Sequence, residues 1–384
     1  MPPDDSAAAP VAIVGAGAAG LSAAAALTRR GVDPLLFERD ERVGGTWARR
    51  YERLQLHTAR RFSGLAHYPI PRSYPRYVPK DGFAAYLQAY ARQFRLDVRL
   101  AHAVRRIRRG QRSGWELETD RGTWQAEAVV VATGHYDVPV VPDWDGRAEF
   151  AGRLLHSSAY TSGSDFAGRS VLVVGLGNSG AEIAADLAEQ GAARVAVSVR
   201  TPPPIVPRDL FGVLPVQIAG IAGTPLPSAL MDRVGAAVRR FGVGDLRPYG
   251  LERAGWGPFT ARRPAVIDVG FLRELRRGRV TVRPALAALT RNGAVFADGS
   301  QEEFDAVVAA TGFTTGLRDL LELPDVVDER GELRFPSGRA TPYPGLYFTG
   351  FQETIRGHLY EARRESKRLA REIAAYLRRA ARPA

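Results

Sequence analysis

Two glycine-rich turns hold the clearest chemistry in this chain. Gly15, Gly17 and Gly20 follow the apolar run Val11 to Val14, and Gly175, Gly177 and Gly180 follow Val171 to Val174. Each set fits the G-x-G-x-x-G spacing between a strand and a helix. The first glycine permits a tight turn, the second lets backbone approach a pyrophosphate, and the third lets helix and strand pack closely. The helices that follow open with Ala18 and Ala19 in one case and Asn178 and Ser179 in the other. Their unpaired N–H groups face the phosphates. The two turns differ in what ends the next strand. After Leu35-Leu36-Phe37 stand Glu38 and Arg39, a carboxylate suited to a ribose diol. After Val195 to Val199 stand Arg200 and Thr201, a guanidinium suited to a 2′-phosphate. The first turn therefore reads as an FAD site and the second as an NADPH site. A single such turn also arises from packing alone. Two, each with its strand, helix and terminal charged residue, point to flavin redox chemistry.

The turns must be held by parallel strands, and the sequence supplies them in two similar series. The first runs strand 11–15, helix 18–30, strand 34–38. A helix capped by Asp81 and ending near Phe94 follows, with Phe83, Leu87, Tyr90 and Phe94 on one face. Short strands are expected near 103–109 and 115–119, then a buried strand, Ala128 to Ala132, ending in Thr133 and Gly134. The second series runs strand 171–175, helix 179–190, strand 193–199, helix 269–277 and strand 279–283. It closes on Ala306 to Ala310, which ends in Thr311 and Gly312. Each small-residue turn lets backbone pass close to a cofactor. The chain returns through Gly345 to Phe348 and ends in an amphipathic helix from about Gly357 to Arg378. The expected fold is α/β, with two Rossmann-like dinucleotide-binding domains and the NADPH domain inserted in a split FAD domain. Residues 1–160 are the first part of the FAD domain and 306–384 the second. The NADPH domain spans 161–305 and contains an apolar insertion at 203–260.

Composition narrows the alternatives. The length of 384 residues suits two domains, and 45% hydrophobic residues can fill two cores. The net charge of +12 comes almost wholly from arginine, Lys80 and Lys367 being the only lysines. The basic residues are spread along the chain without a nucleic-acid-binding motif, so no nucleic-acid partner is expected. The absence of cysteine excludes disulfides, thiolate catalysis and Cys-type zinc sites. No metal site is expected. Met1 to Pro10 is short, polar and acidic, without an apolar signal core, which points to the cytoplasm. Phe211 to Met231 has no charged residue, yet Gly212, Pro215, Gly220, Gly223, Pro225 and Pro227 interrupt it. It reads as a buried or membrane-touching loop and not as a transmembrane helix.

Between the two series lies Phe150-Ala151-Gly152-Arg153-Leu154-Leu155-His156-Ser157-Ser158-Ala159-Tyr160. It matches F-x-G-x-x-x-H-x-x-x-Y, and the chain resembles the flavin-containing monooxygenases, most of all their plant YUCCA-type branch. Gly44-Gly45-Thr46-Trp47 and Tyr51 to His57 are similar to segments beside the flavin in that branch. So are Gly177 to Ile183, Val199 to Thr201, Val206 to Arg208, Asp268 to Gly270 and Gly345 to Phe351 at their own places. The similarity covers nearly the whole chain in order. Baeyer–Villiger enzymes of the family usually have Trp followed by Pro or Asp where this chain has Tyr160-Thr161. Many animal-type members have Asn at the place of His57. Residues Gln352 to Tyr360 depart from the small, apolar turn of the plant members.

The resemblance implies a monooxygenase that takes hydride from NADPH onto FAD and acts through a flavin C4a-hydroperoxide on a small-molecule substrate and molecular oxygen. The YUCCA-type branch implies oxidative decarboxylation of an aromatic 2-keto acid such as indole-3-pyruvate. N-, S- or Baeyer–Villiger oxygenation of a secondary metabolite stays open. So does a reading of another class, a flavin-dependent NADPH oxidase or electron donor to a protein partner. Gly45, Thr46, Trp47, Leu56, His57, Thr133, Gly134 and Gly350 are expected at the FAD, and Thr311 and Gly312 at the second nucleotide. His57 is the catalytic candidate, orienting the oxygen adduct or the nicotinamide amide; the alternative is a packing histidine. His156 is expected to tie the linker. His358 and Tyr360 are candidates for the substrate pocket, against an ordinary helical first turn. The assembly is left open, with a homodimer as one option.

Overall fold

The computed structural model describes residues 8–381 apart from 112, 113, 211, 224, 225, 262, 324 and 353. Most of the Met1 to Pro10 segment, with Phe211, Pro225 and Glu353 of the stretches considered above, therefore lies outside the described residues.

The chain builds two sheets with parallel cores. In the first, the strands run in the order Asp97–Arg99, Leu35–Phe37, Ala8–Val14, Gly122–Val131, Trp115–Thr119, Val104–Arg109. Strand Leu346–Phe348 pairs in parallel with the end of Gly122–Val131. In the second sheet the order is Val280–Arg283, Arg194–Ser198, Ser170–Val174, Ala306–Ala309, Arg153–His156, all parallel. Residues Val11, Ile13, Val129, Val171, Val173 and Val307 have almost no exposure. Central parallel strands are covered on both faces, so they need continuous rather than alternating apolar side chains.

Two strands from outside 161–305 join the second sheet. Arg153–His156 and Ala306–Ala309 both pair into the second sheet, so that sheet extends outward past 161 and 305. A four-residue apolar strand carries no local mark of the sheet it joins; the partner decides. Helix Lys80–Gln93 starts one residue before Asp81, after Pro79 with φ −61°. Proline's fixed φ suits a helix entry, and Asp81 pairs with Lys80 Nζ at 3.0 Å instead of capping.

The last helix, His358–Ala380, returns to the first unit. It packs against helix Ala18–Thr28, where Ser366 and Ser22 hydroxyls meet at 3.0 Å. Glu365 binds Ser337 Oγ, Thr349 Oγ1 and the Gly350 N–H, fixing the turn after Leu346–Phe348. Within 203–260 lie helices Val216–Ala222 and Ser228–Gly242, separated by a proline-containing break. Among the described residues, no helix is long and apolar enough to cross a membrane.

Candidate cofactor and active-site cleft

The two glycine turns have the same geometry. Gly15 and Gly175 both have φ +102°, and an added Cβ would meet Ala132 O at 2.8 Å and Ala310 O at 2.6 Å. A side chain has no room there and the backbone is left-handed, so glycine is required. A Cβ on Gly20 or Gly180 would lie 1.9 or 2.0 Å from the carbonyl oxygen of Gly15 or Gly175. Those glycines let each helix sit on its strand. A Cβ on Gly17 or Gly177 meets nothing within 4 Å. That space lies in front of helices Ala18–Thr28 and Asn178–Glu189, whose N–H groups are aimed at it.

One cleft of about 1110 Å³ joins both turns. A single small ligand fills roughly 300–1,000 Å³, so this volume suits more than one. Its walls include Gly15, Gly17, Ala18, Ala19, Glu38, Arg39, Gly45, Thr46, Trp47, Leu56, His57, Thr133, Gly134 and Gly350 from the first unit. From the second come Gly177, Asn178, Ser179 and Gly312. Gly20, Gly175 and Gly180 stand behind the wall as packing and turn residues. Thr311 also stands back, its hydroxyl donating to Val140 O. Arg200 and Thr201 are exposed beyond the end of strand Arg194–Ser198 and do not line the cleft.

Glu38 accepts from Ala16 N at 2.9 Å and from Asp40 N at 3.0 Å. Burial pushes its carboxyl above the usual range, opposed by those two backbone bonds. Arg39 pairs with Asp137 at 2.7 Å across the cleft mouth. Thr133 Oγ1 and His135 Nε2 are buried without a hydrogen-bond partner. A dinucleotide fits this wall on the protein's own evidence: a clear cradle at Gly17, a carboxylate at the end of the second strand, and buried polar atoms awaiting partners. The cradle at Gly177 offers the same fit for a second nucleotide.

His57 bridges the units. Its Nε2–H donates to Oε1 of Glu182, on helix Asn178–Glu189 of the second unit. The Glu182 side chain is 2% exposed and His57 24%. Tyr51 joins the same group through Ser179 and Glu182, and burial, with the Glu182 charge, holds its phenol neutral well past its usual range. His156 Nε2 meets Gly312 O at 2.9 Å and its Nδ1 meets Ser158 Oγ at 2.9 Å, tying strand Arg153–His156 to the turn after Ala306–Ala309. Trp47 sets its ring edge-on to Phe83, centroids 4.7 Å apart. His358 lines the cleft, whereas Tyr360 lies outside it beneath Arg363 and Arg364. From the apolar insertion, Val216 and Gln217 reach the wall, and Gln217 Oε1 accepts from Ala59 N at 3.1 Å.

Sequence reasoning passed over Glu182, Arg50, His135, Tyr136 and Asp137. Glu182 lies within the Gly177 to Ile183 segment, but its burial against His57 depends on how the units dock. His135 to Asp137 directly follow Thr133-Gly134, and that adjacency was the available signal.

The Flavin-binding monooxygenase-like family matches residues 8–324, and the chain belongs to that family. It is a flavin-dependent monooxygenase. It is 38% identical over 357 residues to an indole-3-pyruvate monooxygenase, YUCCA1, of Oryza sativa subsp. japonica, covering 89% of this chain and 86% of that protein. It is 36% identical over 360 residues to a probable indole-3-pyruvate monooxygenase, YUCCA4, of Arabidopsis thaliana, covering 91% and 87%. A flavin-containing monooxygenase from Stenotrophomonas maltophilia superimposes with a TM-score of 0.73 at 25% identity, over 96% of this chain and 99% of that one.

Proposed function

We propose that the protein is an FAD- and NADPH-dependent monooxygenase that converts an aromatic 2-keto acid, such as indole-3-pyruvate, to the acid one carbon shorter. The balance is keto acid, oxygen, NADPH and a proton giving the shorter acid, carbon dioxide, NADP+ and water. The observation that carries the reading is the single cleft joining both glycine turns, with His57 between the units that hold them. The plant relatives' stated activity gives the substrate class.

Bound FAD supplies the two-electron redox chemistry with oxygen. The N-terminus of helix Ala18–Thr28 and Gly17 would seat its pyrophosphate, and Glu38 would receive its ribose hydroxyls. The turn at Gly177 to Ser179 would seat the NADPH pyrophosphate, and Arg200, past the end of strand Arg194–Ser198, would supply the charge for its 2′-phosphate. His57, held by buried Glu182, keeps a fixed ring orientation at the junction and donates or accepts one hydrogen bond there. The rings of Trp47, Tyr51 and Phe313 in the wall would help keep water from the reacting atoms, which suppresses wasteful release of peroxide. The reading places the enzyme in the cytoplasm with a small-molecule substrate, and a homodimer is the assembly to test by light scattering.

Incubating FAD-loaded protein with NADPH, oxygen and indole-3-pyruvate, an amine, a sulfide or a ketone tests the proposal. Indole-3-acetate and carbon dioxide in equal amounts are expected from the keto acid. Oxygenation of the amine, sulfide or ketone with no conversion of the keto acid would replace the decarboxylation reading.

A further inference from the structure

Arg50 is a half-buried cation of the cleft that no carboxylate of the described residues answers. It is half-buried, lines the cleft, and has its guanidinium 5.1 Å from the centroid of the Phe313 ring. Among the described residues no carboxylate pairs with it and no hydrogen-bond acceptor meets it. Burial lowers its pKa and its charged neighbour Arg49 adds to this, while Tyr51 and Tyr136 oppose it. Other arginines of the same region are satisfied: Arg39 by Asp137, Arg49 by Asp40, Arg53 by Glu189. A guanidinium buried without a counter-ion is costly, and such a group in a cleft marks a place for an anion.

The surroundings of Arg50 are rings. Phe313 stands edge-on to His156, centroids 4.8 Å apart, and to Tyr136 at 5.8 Å. Tyr136 stands edge-on to His358 at 5.8 Å. This row comes from four separate parts of the chain: the segment after Val131, the end of strand Arg153–His156, the segment after Ala309, and the start of the last helix. The phosphate cradles are the backbone N–H groups in front of Gly17 and Gly177, and Tyr51, next to Arg50, reaches the second of them through Ser179. A cation set against an aromatic wall matches a planar acid better than a pyrophosphate.

We propose that Arg50 receives the carboxylate of an aromatic acid whose ring lies along Phe313 and Tyr136, so that Arg50 selects for acids over neutral compounds of the same shape. This deepens the keto-acid reading and rests on it for the substrate class. A planar guanidinium binds a carboxylate through two parallel N–H···O bonds, and Phe313 holds the fork in place from its other face.

The test is direct binding to the FAD-loaded enzyme, without turnover. Indole-3-acetate and the neutral indole-3-acetamide are titrated against wild type and Arg50→Met, following the absorption change of the bound flavin. Met keeps the apolar stem over Phe313 and removes the charge. Wild type is expected to prefer the acid. Arg50→Met is expected to weaken the acid about tenfold or more and leave the amide within about twofold. Phe313→Leu weakens both probes alike. Unchanged acid binding in Arg50→Met overturns the proposal, as does a raised KM for NADPH with acid binding intact, which would give Arg50 to the nucleotide. Should Arg50→Met lose FAD, the wild-type ratio decides: equal affinity for acid and amide overturns the assignment. A wild type that binds aromatic acids through Arg50 yet never decarboxylates indole-3-pyruvate leaves the subsite standing and removes the reaction.

Discussion

Replacing Gly177 by valine separates what the second turn does for the fold from what it does for the nucleotide. Gly177 has φ −87° and ψ −171°, extended backbone open to any residue, and a Cβ there meets nothing within 4 Å. Gly177→Val should therefore change stability by no more than about 0.5 kcal/mol. Its methyl groups occupy the space in front of the helix. Losing two N–H···phosphate contacts of about 1.5–3 kcal/mol each weakens NADPH binding by about a hundredfold or more. Gly180 gives the opposite result. Its Cβ would lie 2.0 Å from Gly175 O, about 1.5 Å inside normal contact. Gly180→Ala forces helix from strand, costs about 1–3 kcal/mol, and lowers Tm by several degrees. The assay is stopped-flow bleaching of the flavin, first by dithionite and then by NADPH. Gly177→Val should stay yellow, bleach with dithionite and fail with NADPH; Gly17→Val should purify colourless. If Gly177→Val loses FAD while Gly17→Val keeps it and fails only with NADPH, the two sites are exchanged. Normal NADPH reduction in Gly177→Val would refute the pyrophosphate seat altogether.

Two further expectations concern the nucleotide and the junction. Arg200→Ala should raise the KM for NADPH about tenfold or more and leave NADH nearly unchanged; equal use of both nucleotides by the unaltered enzyme would sink the assignment. His57→Ala should still bind FAD and consume NADPH, but release more hydrogen peroxide and less product per NADPH. Glu182→Gln, which keeps an acceptor for the ring and loses the charge, should fall between wild type and His57→Ala; tight coupling in both variants would leave His57 a packing residue.

The fold was legible because its strands and turns are local signals. Continuous apolar runs at Val11 to Val14 and Val171 to Val174, each ending in a glycine that must take φ near +100°, define the two units without reference to the rest of the chain. The linker motif and the segment Tyr51 to His57 placed the family in the same way. Strand membership was not legible. Arg153–His156 and Ala306–Ala309 are short runs whose parallel partners lie far off in sequence, and pairing alone assigns them to the second sheet.

The chemistry of the junction belongs to tertiary structure. Glu182 became a partner of His57 only because helix Asn178–Glu189 docks on the first unit, 125 residues from the histidine in sequence. Arg50 acquired its meaning by having no counter-ion, a property that no sequence window contains. Residue type and spacing determined which groups could bind phosphate, ribose or a ring. Long-range packing decided which of them share one cleft, which are neutralised, and which face it with their charge unanswered, because desolvation and pairing depend on neighbours brought together by the fold.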